Sequence, residues 1–92
     1  MLSKPFPNPS TGEVTFNLFS GSAAEAQLYV FDLMGRKVHT DGLSLRGHEI
    51  DKLKWSGKSL TGEIVPGGVY IYKLTVRSGE STKITQGRII IQ

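Results

Sequence analysis

Between Gly68 and Arg77 the chain alternates over its longest β-type run. Tyr70, Tyr72, Leu74 and Val76 share one face; Val69, Ile71, Lys73, Thr75 and Arg77 share the other. A strand with one apolar face must cover it with a second layer. No stretch reads as a helix able to do this, so the predicted cover is another sheet. Pro66-Gly67-Gly68 starts the strand and Ser78-Gly79-Glu80-Ser81 ends it.

The same period recurs along the chain. Val14, Phe16 and Leu18 alternate with polar residues from Glu13 to Phe19, predicting the first strand. Ser20 to Glu25 reads as a small-residue loop, and Ala26 to Phe31 as a second strand with Ala26, Leu28 and Val30 inward. Asp32-Leu33-Met34-Gly35 predicts a hairpin turn, because Asp32 can close an Asx-type bond and Gly35 can take positive φ. Arg36 to Thr40 returns as a third strand around Val38, and Asp41-Gly42 reads as the next turn. Gly47 to Trp55 breaks its alternation: Ile50 has one parity, Leu53 and Trp55 the other. A bulge near Asp51-Lys52 would reconcile them. Glu63-Ile64-Val65 is a short extended piece. Ser81 to Gln92 closes the chain, and Gly87 marks a second predicted bulge. The pattern describes an all-β, immunoglobulin-like antiparallel β-sandwich of about seven short strands.

Composition narrows the picture. Ninety-two residues make one domain, 1–92, with a small core and no cysteine to staple it. The net charge of +3 is spread over scattered lysines and arginines, which read as solvated strand faces and not as a nucleic-acid surface. No apolar run is long enough for a membrane helix. Met1-Leu2-Ser3-Lys4 leads into prolines and not into an apolar leader segment, so the chain reads as the end of a longer protein. Lys4 to Gly12 is a rigid lead-in whose prolines keep it extended, with Asn8 and Ser10 bonding nearby backbone.

Candidate chemistry is sparse. His39 and His48 are the only histidines, with no ligand cluster beside them, so no metal site is expected. A Ser/His/Asp set built from His48 and Asp51 lacks a nucleophile-elbow pattern. Glu49 and Asp51 read as a solvated edge. No cofactor motif is present and no catalytic residue is assigned. Trp55, Tyr70 and Tyr72 either form an aromatic platform for a sugar or peptide, or fill the core; core is favoured.

Four motifs, in order, resemble the C-terminal sorting domain of proteins exported by the type IX (Por) secretion system of Bacteroidetes. They are Pro7-Asn8-Pro9-Ser10-Thr11-Gly12, Val30-Phe31-Asp32-Leu33-Met34-Gly35-Arg36, Pro66-Gly67-Gly68-Val69-Tyr70, and the closing Lys83 to Gln92. The likeness covers nearly the whole chain. Trp55-Ser56-Gly57-Lys58, Gly62 and Val65-Pro66 are also similar to the immunoglobulin-like domain of flagellar hook-capping proteins, although Ser56 stands where aspartate is usual.

The resemblance implies a signal domain that directs its cargo across the outer membrane to the cell surface. An outer-membrane translocon would read it, and a surface sortase would then usually remove it. It implies passage through the periplasm to the outer membrane, the cell surface or the exterior. Two alternatives are a domain retained by a component of the surface attachment machinery, and an adhesive or carbohydrate-binding sandwich appended to a secreted enzyme. The candidates for partner recognition are Lys83, Arg88, Ile89, Ile90, Ile91, Gln92 and Arg36. Pro7, Asn8, Pro9, Gly12, Asp32, Gly35, Pro66, Gly68 and Tyr70 are assigned to structure. Edge strands also make a weak strand-mediated dimer conceivable.

Overall fold

A computed structural model describes residues 4–92; the segment read above as carrying no leader includes residues 1–3, which lie outside the described residues. Six strands form two antiparallel sheets: β1 (Val14–Phe19), β2 (Ala24–Phe31), β3 (Lys37–Leu45), β4 (Ile50–Trp55), β5 (Gly68–Ser78) and β6 (Ser81–Ile91). The larger sheet has the order β3-β2-β5-β6, and the smaller pairs β1 with β4. The run from Gly68 is the centre of the larger sheet, bonded to β2 on one side and β6 on the other. The all-β sandwich matches the alternation. The seventh strand is reduced to an isolated bridge between Lys58 and Ile64.

The core lies between the sheets because each strand turns one parity inward. Val14, Phe16, Leu18, Leu53 and Trp55 from the smaller sheet meet Leu28, Val30, Tyr70, Tyr72, Leu74 and Ile89 from the larger. Two edge-to-face contacts join the layers, Phe16 with Tyr72 at 5.1 Å and Trp55 with Tyr70 at 5.6 Å between ring centroids. Each is worth about 0.5–1.5 kcal/mol beyond the area it buries. The polar ends of two rings are also satisfied. Trp55 Nε1 donates to the Lys58 carbonyl at 2.9 Å, and the Tyr70 hydroxyl donates to the Pro66 carbonyl. With Trp55 fully buried and both tyrosines in the core, these rings form no exposed platform.

Several local expectations change. Asp41-Gly42 is not a turn; β3 continues through it, opposite Leu28 and Gln27, because the ladder with β2 outweighs the local turn preference. β2 begins at Ala24, two residues earlier than expected, and β4 begins at Ile50, three residues later than expected. The bulge near Asp51-Lys52 is absent: β4 pairs in unbroken register with β1, and Ile50 simply points outward. The irregularity instead falls beside Val30 and Phe31, where the hairpin closes.

No bulge occurs at Gly87 either, since β5 and β6 pair without a shift from Gly68↔Ile91 to Ser78↔Ser81. Gly87 is there because Tyr72 lies over it. A Cβ at Gly87 would stand 2.6 Å from Tyr72 Cε2. The bulge reading fails because the glycine answers instead to a ring across the ladder that fills the space of its missing side chain.

Candidate functional site

β6 is an edge strand, and its outer edge divides into two halves. The inner edge bonds β5 along its full length. Outward bonding in an antiparallel strand repeats every second residue. Ile90 sets the phase: its N–H donates to Asn8 Oδ1 at 2.9 Å, and its carbonyl accepts from Ser10 N at 2.8 Å, both away from β5. Asn8 Nδ2 also donates to the Arg88 carbonyl at 2.9 Å, and Gln92 N donates to the Ser10 carbonyl at 2.8 Å. The Pro-Asn-Pro-Ser segment thus closes the edge from Arg88 to Gln92.

This alters the reading of the lead-in. Ser10 does bond locally, as expected: its buried hydroxyl donates to the Glu13 carbonyl and accepts from Gly12 N. Asn8 does not; both of its amide bonds go to β6, some eighty residues away in the chain. The peptide bonds before Pro7 and Pro9 are cis. Just upstream, Phe6 and Thr15 exchange a pair of backbone bonds, so the lead-in joins the smaller sheet before it clamps the larger one.

Among the described residues no hydrogen bond closes the first half of β6, although Lys4 and Pro5 line a groove with Gln86 and Gly87 at its border. By the same phase, Thr82, Ile84 and Gln86 present their N–H and C=O groups outward. Their side chains lie on the outer face, and Ile84 is 57% exposed.

The recognition candidates separate accordingly. Ile89 and Ile91 are buried in the core, whereas Lys83, Arg88, Ile90 and Gln92 reach solvent. Arg36 lies at the pole of the sandwich near Pro66 and Tyr70, where both share one groove with the hairpin turn, apart from Lys83. It is more tightly bound into the turn than the spacing implied. Asp32 Oδ1 accepts from the N–H groups of Met34 and Arg36, and Asp32 Oδ2 accepts from Arg36 Nε at 2.8 Å. Gly35 takes φ +83°, the conformation this turn needs. The Arg36 backbone bond is the first cause holding the Asp32 carboxyl below its ordinary range, opposed by partial desolvation and reinforced by the guanidinium.

Sequence reasoning missed an apolar cluster at this pole. Leu33 and Met34 on the turn, with Ile64 across the groove, are 69%, 81% and 82% exposed. Their signal was available: an Asx-closed turn has no structural use for two large apolar tips.

His39 is half-buried beside Trp55, with centroids 6.1 Å apart, and burial pushes its pKa down against the opposing charge of Asp41. His48 is exposed. Among the described residues no group of three or more His, Cys, Asp or Glu is gathered as a metal site would require.

Two sheets joined by ring contacts, with a lead-in clamped onto the last strand, define an immunoglobulin-like sandwich module. The family assignment follows from the chain itself: residues 4–92 match the model of the secretion system C-terminal sorting domain, and the chain belongs to that family. It is a sorting signal of the type IX secretion system and is not itself catalytic. Among solved structures it is similar to dimeric latent PorU from Porphyromonas gingivalis, with a TM-score of 0.81 and 25% identity over 96% of this chain. It spans only 9% of the PorU chain. It is also similar to FlgD from P. aeruginosa, with a TM-score of 0.65 and 20% identity, over 85% of this chain and 61% of that one, a likeness of fold alone. A comparison with curated protein sequences finds no match.

Proposed function

We propose that this domain is the terminal unit of a longer exported protein, and that it is read as a folded surface by the outer-membrane translocon and then by a sortase. On this reading the cargo crosses the periplasm and ends at the cell surface or outside it. Membership of the sorting-domain family over residues 4–92 carries the proposal. Within the fold, recognition falls to groups that the core does not use. On β6 and just past its end these are the side chains of Lys83, Arg88, Ile90 and Gln92, while Ile89 and Ile91 serve the core. At the pole they are the free part of the Arg36 guanidinium and the apolar tips of Leu33, Met34 and Ile64. Exposed apolar groups on a hydrogen-bonded turn are preorganised for contact.

The test is a reporter fusion. Residues 1–92 are attached to the C-terminus of a periplasm-directed fluorescent protein in a bacterium with the type IX apparatus, and surface fluorescence is scored. Delivery to the surface supports the proposal. A reporter that stays in the periplasm with the domain folded overturns it. Substituting Met34 and Ile64 by serine separates the pole from the strand, because neither residue supports the core.

A second reading keeps the domain on the protein that carries it. One observation favours it: in PorU the similar unit is a small part of one continuous chain. Mass analysis of the exported fusion would distinguish removal of the domain from retention.

A further inference from the structure

We propose that the open half of β6 is a pairing site for a second copy of this chain, joined edge to edge about a two-fold axis at Ile84. The clamp and the hairpin leave a short window. Asn8 covers the outer edge from the Arg88 carbonyl onward, and the β5–β6 turn at Gly79-Glu80 ends the strand on the other side. Between them Thr82, Ile84 and Gln86 offer three N–H and three C=O groups outward. A window of this length has its midpoint at Ile84.

Antiparallel pairing of two such windows is self-complementary. With Ile84 opposite Ile84 of the second copy, Thr82 stands opposite Gln86, and each pair exchanges two backbone bonds. Two exposed isoleucines then cover each other, although Ile84 has only Thr75 beside it across its own ladder. One step beyond, Glu80 lies in the β5–β6 turn, from which its side chain reaches toward Arg88 of the second copy. Neither has an ion-pair partner among the described residues. Opposite charges directly across a strand pair are favourable, and like charges are not. The partner's hairpin turns away opposite Arg88, where the Asn8 clamp begins, so the two copies meet without displacing it. Of the lead-in, Phe6 pairs with Thr15 of the smaller sheet, and Lys4 and Pro5 line a groove with Gln86 at one end of the window.

Other edges are poorer templates. β3 carries Asp41-Gly42 at its middle, and the free edge of β4 carries Lys52 and Lys54. Charges and glycine are the usual protection of an exposed edge. A five-residue window buries less than the roughly 1,000 Å² of a stable interface, so the association is weak and concentration-dependent.

The test uses the 92-residue chain at 10 μM to 1 mM (about two decades, chosen for a weak contact). Sedimentation velocity should show a monomer at the low end and a growing dimer at the high end. Ile84→Lys should weaken the dimer at least about tenfold by placing two ammonium groups face to face, with an unchanged melting curve because Ile84 is outside the core. The chain has no cysteine, so Ile84→Cys gives one reporter thiol. It should form a disulfide-linked dimer faster than Gln86→Cys, whose two copies lie about 13 Å apart along the strand at 3.3 Å per residue. A monomer throughout, a dimer indifferent to Ile84→Lys, or equal cross-linking at the two positions would each overturn the proposal.

Discussion

The two halves of β6 are made of similar residues and do different work. From Arg88 to Ile91 the strand is bonded on one edge to β5 and on the other to Asn8 and Ser10, and Ile89 and Ile91 sit in the core. From Thr82 to Gln86 one edge is open and Ile84 faces solvent. An isoleucine is therefore a core residue at position 89 and a surface residue at position 84, although both belong to the same strand. Parity explains part of this, and the smaller sheet explains the rest. Lys83 has the same parity as Ile89 and Ile91 and is still exposed, so the far end of β6 is not covered there.

The contrast can be broken at several points. Ile89→Ala should cost about 2–4 kcal/mol in denaturant unfolding, since it leaves a cavity at a fully buried site. Ile84→Ala should stay within about 0.5 kcal/mol. Equal losses would contradict the division of the strand. Gly87→Ala, at the border of the two halves, should cost about 1–3 kcal/mol through overpacking against Tyr72. In a Tyr72→Ala background most of that penalty should vanish, which a double-mutant cycle would read directly.

Asn8→Ala removes two solvent-accessible side-chain bonds and should cost about 1–2 kcal/mol. Its sharper signature is local. Hydrogen exchange at the Ile90 amide should accelerate, while exchange at Ile84, already outward and uncovered, should barely change. The smallest effect lies at the opposite hairpin and serves as a control. Because the Asp32 carboxyl is held below its ordinary value, its contribution is present above the unfolded-state value of 3.8. It is lost as the pH falls through the folded value. Asp32→Asn should therefore be slightly less stable than the parent at neutral pH, with the difference closing at strongly acid pH and β6 exchange unaffected.

Much of the sandwich was legible because strand alternation is a local code. Val14, Phe16 and Leu18 in β1, and Tyr70, Tyr72 and Leu74 in β5, were placed inward by period two and are buried. The Asp32 turn was readable because its bonds close within five residues. Where local signals conflicted, the reading failed in a consistent way. Ile50 suggested a bulge because an exposed isoleucine looks like a parity error. Gly87 suggested another because a glycine in a strand leaves no trace of what fills its space. Asp41-Gly42 suggested a turn because its preference is local and the ladder that overrules it is not. Of the candidate site, Lys83 and Arg88 were picked out as charged positions on the closing strand. The fate of Ile89 against Ile90, and the use of Asn8, required partners far along the chain.

By itself, then, the order of residues determined the β class, the inward parity of the central strands, the Asx-closed hairpin and the motifs that mark a sorting domain. The class, the parity and the hairpin depend on interactions within a few residues or on a period that any strand must obey, and the motifs are legible as residue identities even where, as at Asn8, their bonds are distant. Tertiary structure alone decided which edge of β6 is closed and which is open. That outcome rests on Asn8 reaching Arg88 and Ile90 across the whole chain, and no local pattern encodes a contact between its two ends.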